Sequence, residues 1–396
     1  MGQFRFLTAG ESHGKGLVAV IEGMIAGVPI SEDYIAQDLK RRQSGYGRSI
    51  RMEIEQDKAE IISGVRHGLT IGSPISLLIW NRVWKDWQDI MSVAPVDRKI
   101  QPLTSPRPGH ADLAGVIKYG TEDIRPILER ASARETAVRV AVGAVARRFL
   151  KEFGITVYSH TTSIGKHRAK QPKSIDWQQV DKSPVRCADA AAEKVMMAAI
   201  DEAKAEGDTL GGTFELIADG MPAGLGSHVQ WDHRLDGQIA QSIMSINAVK
   251  GVEIGAGFSI ANTKGSQAQD IIEISSKRTA MPWQRPTNRA GGIEGGISNG
   301  QPIVIRAAVK PIATLGKPLP SVDLRTGKKA EAHYERSDIC VVPSAGVIGE
   351  AMLAIVLTKA MLEKFGGDRL KETLANYKNY ISSAYSRNRY ATSENK

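Results

Sequence analysis

The chain has 396 residues, 42% hydrophobic and 24% charged, which excludes a disordered or fibrous protein and allows a large core. Lys and Arg outnumber Asp and Glu by 52 to 43, a net charge of +9 that calls for an anionic partner. The basic residues near the motifs are mostly arginines set among Gly, Ser and His, and aromatics are only 6%, too few for base stacking, so a phosphorylated small molecule is favoured over nucleic acid or a membrane. The two cysteines, Cys187 and Cys340, lie far apart with no CxxC, which argues for a reducing compartment and against a disulfide framework or thiolate zinc site. The N-terminus MGQFRFLTAGESHG has no apolar h-region. The most apolar helix candidate, residues 349–365, is too short for a membrane span and carries Glu350, Lys359 and Glu363. The expectation is a soluble cytoplasmic protein.

In chain order, residues 4–9 predict a strand that ends in the turn Gly10-Glu11-Ser12-His13-Gly14, and residues 17–25 predict a second. Ser31 is a cap for a helix carrying Ile35 and Leu39. That helix ends in Lys40-Arg41-Arg42, cations suited to a helix C-terminus, and runs into Gln43-Ser44-Gly45-Tyr46-Gly47-Arg48. Strands follow at 60–63 and 74–80. Residues 81–96, with Trp84 and Trp87, fit no regular pattern. Ser132 and Glu135 have capping-box spacing, and Val138, Ala141, Val142, Val145 and Phe149 recur on one helical face. Arg130 falls just before that helix and Arg134 in its first turn.

Residues 155–164 read as a strand and 165–190 as a polar, Lys-rich loop. A helix at 193–206 is stopped by Gly207, and 211–217 is a strand. Asp232 is a cap for a helix with Leu235, Ile239, Ile243 and Ile246 on one face. Strands are expected at 251–258, 303–310 and 339–342, the last leading into the apolar helix from Gly349. Few apolar residues follow Tyr380, so a mobile tail is expected after about residue 380. Antiparallel-looking strands alternate with helices and no linker intervenes. The prediction is an α+β fold, with residues 1–396 forming a single domain.

The stretch 105–139 reads as an anion site beside a histidine. His110 sits in the turn Arg107-Pro108-Gly109-His110, and helix starts flanked by arginine favour anions. Gly10-Glu11-Ser12-His13-Gly14-Lys15-Gly16 fails as a phosphate loop, because the glycine spacing is short and Gly16 follows the lysine where Ser or Thr is needed. No GxGxxG follows a strand. His13 is then either a turn residue or a ligand-facing one; histidine is the commonest acid or base near neutral pH. The arginines fall into groups: Arg41, Arg42, Arg48 and Arg51; Arg107; Arg130 and Arg134; and Arg336. Arg134 lies four residues before Val138 on the apolar stripe, so it points inward and needs an anion or carboxylate. Asn288 to Ser298 is a glycine-rich loop, and Lys310-Pro311-Ile312-Ala313-Thr314 ends a strand with a fixed turn. Asp338, two residues after Arg336, shares its face on a strand, as a local ion pair or as a catalytic carboxylate. No metal motif occurs.

The segments AGESHGKGL, RRQSGYGRS, RPGHADLAGVIKYG, ERASARETA, INAVKGVEIGAGF, NRAGGIEGGISNGQPI and ERSDICVVPSAGVIGEAM occur in that order. Together they resemble the chorismate synthase family over most of residues 1–365. The resemblance implies a β-α-β sandwich, a helical layer packed with antiparallel sheets, assembled as a homotetramer. It implies a lyase that converts 5-enolpyruvylshikimate 3-phosphate to chorismate and phosphate by 1,4-anti elimination, with reduced FMN and no net redox change. The alternative is a flavin oxidoreductase with net redox turnover. By the resemblance, His110 protonates the leaving phosphate, His13 holds the reduced flavin in its useful protonation state, and Asp338 assists proton removal, with Ser12 and Ser132 as relay. FMN falls to Arg130, Ala131, Ser132, Asn247, Ala248, Gly295, Lys310, Pro311, Ile312, Ala313, Thr314 and Arg336. Substrate anions fall to Arg48, Arg107, Arg134 and Arg336, then Arg42 and Arg51. Arg42 and Arg48 also suit a nicotinamide cofactor, so NADPH is a candidate reductant beside a separate flavin reductase.

Overall fold

The computed structural model describes residues 4–49, 54–172, 174–275 and 283–384. Arg51 and the end of the chain from residue 385 lie outside the described residues. Two antiparallel sheets enclose a layer of helices. In the first, strand Gly16–Glu22 lies between Arg5–Ala9 and Ile75–Trp80, and Glu60–Ser63 borders the last. In the second the order is Val249–Ile254, Ile303–Val309, Gly212–Asp219, Thr156–Ile164 and His167–Arg168. Ile303, Ile305, Ala307 and Val309 are buried and alternate with half-buried residues, the period-two pattern of a strand with one covered face.

Helix Thr136–Lys151 packs on the first sheet, helix Val342–Phe365 on the second, and the two pack on each other. Helices Glu32–Gln43 and Leu235–Met244 flank them. This is the expected α+β sandwich. A helix pressed from several sides must be apolar nearly all round, as Val342–Phe365 is, whereas Thr136–Lys151 keeps Arg139, Arg147, Arg148 and Lys151 on its less buried side. Gly143 lets their backbones touch: a Cβ there would sit 2.2 Å from Ala351 Cβ.

Several expected elements need correction. The apolar helix has 24 residues, long and apolar enough to cross a membrane, but 89% of its most apolar window is buried among the helices and sheets. It starts at Val342, so residues 339–342 are its entry and only Cys340 bridges Leu210. A helix at Arg125–Ala131 was not foreseen. Ser132 ends it, begins the 3-10 turn Ala133–Glu135, and accepts from Arg134 N–H at 3.3 Å. The amphipathic helix therefore starts three residues later than its capping-box spacing indicated. Arg130, expected just before the amphipathic helix, lies in the last turn of this new one. Asp232 belongs to a 3-10 turn, and Arg234 stands at the cap position of the next helix. The Lys-rich stretch holds a helix, Trp177–Lys182, whose Trp177 stacks on Tyr158 at 4.5 Å. Near the C-terminus, residues 370–384 are helical, and Leu374, Tyr377 and Tyr380 pack against the core.

Candidate active site

The site forms where turns from distant parts of the chain meet. Val249 pairs with Val309, so Asn247-Ala248 and Lys310 to Thr314 lie side by side at one end of the second sheet. Lys310 N–H donates to Ala248 C=O at 2.9 Å, and Asn247 Nδ2 donates to Ala131 C=O at 3.0 Å. Ser132 Oγ lies 3.2 Å from Ser12 Oγ. The Lys310 ammonium donates to Gly109 C=O, and Arg107 donates to Thr314 Oγ1 at 3.0 Å. One chain of contacts thus joins Ser12, Ala131, Ser132, Asn247, Ala248, Lys310, Gly109, Arg107 and Thr314. Burial and the nearby Lys250 lower the pKa of the Lys310 amine.

His110 is held by the residues around it in sequence. Its Nδ1 lies 2.5 Å from Asp112 Oδ1, and Asp112 is fully buried. Asp112 Oδ2 accepts from Arg107 N–H at 3.0 Å and Arg107 Nε at 2.9 Å. Burial alone raises the Asp112 pKa, but hydrogen bonds from His110 and Arg107 outweigh it and hold the carboxyl below its ordinary range.

His13 is held in the same manner by a remote residue. Glu129, 1% exposed, accepts from His13 N–H at 2.7 Å and lies 2.9 Å from His13 Nδ1. Arg125 bonds Glu129 at 3.2 Å and Glu335 at 2.7 Å. Burial raises the Glu335 pKa, but a bond from His333 and the Arg125 charge bring it down to about 2. Trp87 stacks on the His13 ring at 3.9 Å, and Arg125 sits over the indole at 5.0 Å. The stretch that fitted no pattern therefore supplies a wall of the site.

The inward arginine finds its carboxylates. Arg134 bonds Asp57 at 2.5 Å and Asn81 Oδ1 at 3.0 Å, with Glu55 at 3.5 Å. Asn81 in turn donates to Glu11 and Gly14 carbonyls, which ties the arginine to the His13 turn. Arg42 bonds Thr136 Oγ1 and Ala133 C=O and pairs with Asp57 at 3.4 Å. Burial, opposed by Asp57 and aided by Arg48 and Arg134, lowers its pKa to about 10, so it stays charged near neutral pH. Asp338 pairs with Arg48 at 2.9 Å and accepts from Ser49 N–H at 2.7 Å. Residues 332–338 are not a strand, so Arg336 and Asp338 do not share a strand face. Arg336 is exposed, with no hydrogen bond or ion pair among the described residues.

Gly295 stands apart. It turns the hairpin Ile293–Glu294/Ile297–Asn299, with open space where a Cβ would sit, and no hydrogen bond among the described residues links it to the set above. Arg130 is exposed and donates to Thr8 and Gly10 carbonyls. Sequence reasoning missed Asp112, Glu129, Asp57, Glu55, Asn81 and Trp87. Only Asp112 carried a local signal, two residues after His110.

A cavity of about 640 Å³ opens beside Arg48, Asp57 and Tyr46. A larger one, about 890 Å³, lies against Phe4, Met24 and Arg369 and touches none of the site residues. The titratable groups converge away from the larger of these two cavities.

A family model described as chorismate synthase matches residues 4–362. The chain belongs to the chorismate synthase family. Members of this family are lyases. The chorismate synthase of Moorella thermoacetica is 55% identical over 383 residues, covering 95% of this chain and 99% of that protein. That of Streptomyces avermitilis is 51% identical over 392 residues, covering 96% and 98%. A crystal structure of chorismate synthase matches with a TM-score of 0.77 and 43% identity, over 97% of this chain and 99% of that one.

Proposed function

We propose that this site converts 5-enolpyruvylshikimate 3-phosphate to chorismate and inorganic phosphate by 1,4-anti elimination, with reduced FMN bound beside the substrate. The observation that carries the reading is the meeting of two carboxylate-held histidines with Arg107 and Lys310 in a chain of this family. The substrate carries a phosphate and two carboxylates, which suits a cationic site. The residues also fit a flavin: Asn247 keeps a buried Oδ1 with no hydrogen-bond partner among the described residues, next to Ala248 at φ 68°. Arg130, Ala131, Ser132, Asn247, Ala248, Lys310 to Thr314 and Arg336 would hold it. When bound, reduced FMN supplies electron density as phosphate departs and receives it back, so no net redox change results.

The chain's own residues do the rest. Arg107 and Lys310 stabilise charge on the departing phosphate. His110 donates a proton to it, and His13 holds a proton beside the flavin. Asp338, held by Arg48 and Ser49 N–H, assists removal of the substrate hydrogen, with Ser12 and Ser132 as relay. Arg48, Arg107 and Arg336 meet substrate anions. Arg42 and Arg134 are buried on protein partners, which supports an indirect role: fixing Asp57 and the His13 turn.

The reading extends to one domain, a homotetramer and a cytoplasmic location. Leu7 at 76% and Ile62 at 59% exposure, on the outer face of the first sheet, support burial against another copy. Both cysteines are buried and free of disulfides. The test is an anaerobic assay with chemically reduced FMN and the enolpyruvyl substrate, repeated with oxidised FMN and NADPH. Phosphate and chorismate in the first arm are expected. Activity in the second separates a self-reducing enzyme from one served by a flavin reductase. No turnover from folded protein contradicts the reading.

A further inference from the structure

The two histidine turns, far apart in sequence, are built to one plan. Each histidine presents Nδ1 to a fully buried carboxylate side chain: His110 to Asp112, His13 to Glu129. Each carboxylate also accepts a main-chain N–H of the same turn, Arg107 N–H at 3.0 Å and His13 N–H at 2.7 Å. Each is clamped by an arginine, Arg107 or Arg125.

These partners fix where the proton sits. An ionised carboxylate only accepts, so a nitrogen 2.5 or 2.9 Å from it must carry hydrogen. An arginine only donates, so a ring nitrogen that it bonds must accept. At His110 the Arg107 guanidinium reaches both ring nitrogens, Nδ1 at 3.0 Å and Nε2 at 3.3 Å, but Asp112 at 2.5 Å has the nearer claim on Nδ1, so Nδ1 carries the proton toward Asp112 and the guanidinium is left to donate to Nε2. At His13 the Glu129 carboxylate makes the same demand on Nδ1, 2.9 Å away. The geometry points to Asp112 and Glu129 as positioning residues that lock both histidines in the Nδ1–H tautomer and assign proton exchange to Nε2. The inference deepens the reading above and rests on it for the role of that nitrogen.

Replacing either carboxylate by its amide should reverse the arrangement. In Asp112→Asn the amide oxygen is claimed by the Arg107 N–H and Nε donors, so the NH2 group turns to His110 Nδ1 and makes it an acceptor. In Glu129→Gln the oxygen is claimed by His13 N–H, and the NH2 group meets Nδ1. The experiment is magic-angle-spinning 15N NMR of histidine-labelled full-length protein without flavin, with the imidazoles in neutral form. His13→Asn and His110→Asn variants assign the signals. Wild type is expected to show both rings as Nδ1–H. Asp112→Asn is expected to move His110 alone to the Nε2–H form, and Glu129→Gln to move His13 alone.

A wild-type ring in the Nε2–H form overturns the proposal for that histidine. So does a folded amide variant that keeps the wild-type signal. If a variant does not fold, the wild-type spectrum still decides. In the anaerobic assay each amide variant should lose about 100-fold or more in kcat, with a much smaller change in KM. An inactive wild type would sink the lyase reading while leaving the tautomer result standing.

Discussion

Two buried clusters of arginine and carboxylate in this molecule use the same ingredients to different ends. In the helical layer, Glu350 is fully buried and both its oxygens are taken: Arg41 at 2.7 and 2.8 Å, Ser159 at 2.7 Å, Arg147 at 3.2 Å and Arg186 at 3.3 Å. Burial pushes its pKa up, but the three arginines bring it down to about 2. That cluster is closed around both Glu350 oxygens and joins helices Glu32–Gln43, Thr136–Lys151 and Val342–Phe365 to the second sheet. At the site, Asp112 and Glu129 each hold one arginine and one histidine, Asn247 Oδ1 has no hydrogen-bond partner among the described residues, and Arg336 stands exposed. Closed charge reads as architecture, and open charge reads as a place for a ligand.

The sharpest break between the two comes from single substitutions. His110→Ala should lower turnover by about 100- to 10,000-fold and leave flavin binding and unfolding in urea nearly unchanged. Loss of folding instead would make that turn structural. Glu350→Gln should do the reverse, costing roughly 3–5 kcal/mol of stability while folded protein keeps its KM. Unfolding curves beside steady-state kinetics read both.

Acid separates the clusters further. The folded-state pKa of Glu350 lies below its unfolded value, so its stabilisation is present above about pH 4 and is lost as pH falls toward about 2. The shift is worth about 3 kcal/mol. Glu350→Gln should therefore flatten the acid limb of a stability–pH profile, and an unchanged limb would assign it elsewhere. Arg336→Ala, at an exposed residue with no partner among the described residues, should weaken substrate or flavin by about tenfold, roughly 1.4 kcal/mol. Its stability should stay within about 0.5 kcal/mol of wild type. A large stability loss would place Arg336 with the closed cluster.

Much of the sandwich was legible because its strands alternate and the stripe Val138 to Phe149 has a helical period. The entry to the long helix was not. Val341 and Val342 lead into a helix apolar on every side, so no period distinguishes helix from strand there. Ser132 and Glu135 had capping-box spacing, yet the Glu135 carboxylate goes to Arg139 at 2.7 Å. At the site, the residue types in the turns were readable and their partners were not. Arg134 announced a buried partner, but nothing local pointed to Asp57, 77 residues away. Glu129 lay inside a quoted motif, and its contact with His13 spans 116 residues. Such pairings belong to tertiary structure, which places the short helix Arg125–Ala131 against the His13 turn.

The measurement closest to the central claim follows phosphate, chorismate and flavin together under strictly anaerobic conditions, with substrate in excess over reduced FMN. The account predicts phosphate and chorismate in equal amounts over many turnovers, with the flavin still reduced at the end. Flavin oxidised in step with product, or no phosphate from folded protein, would contradict it.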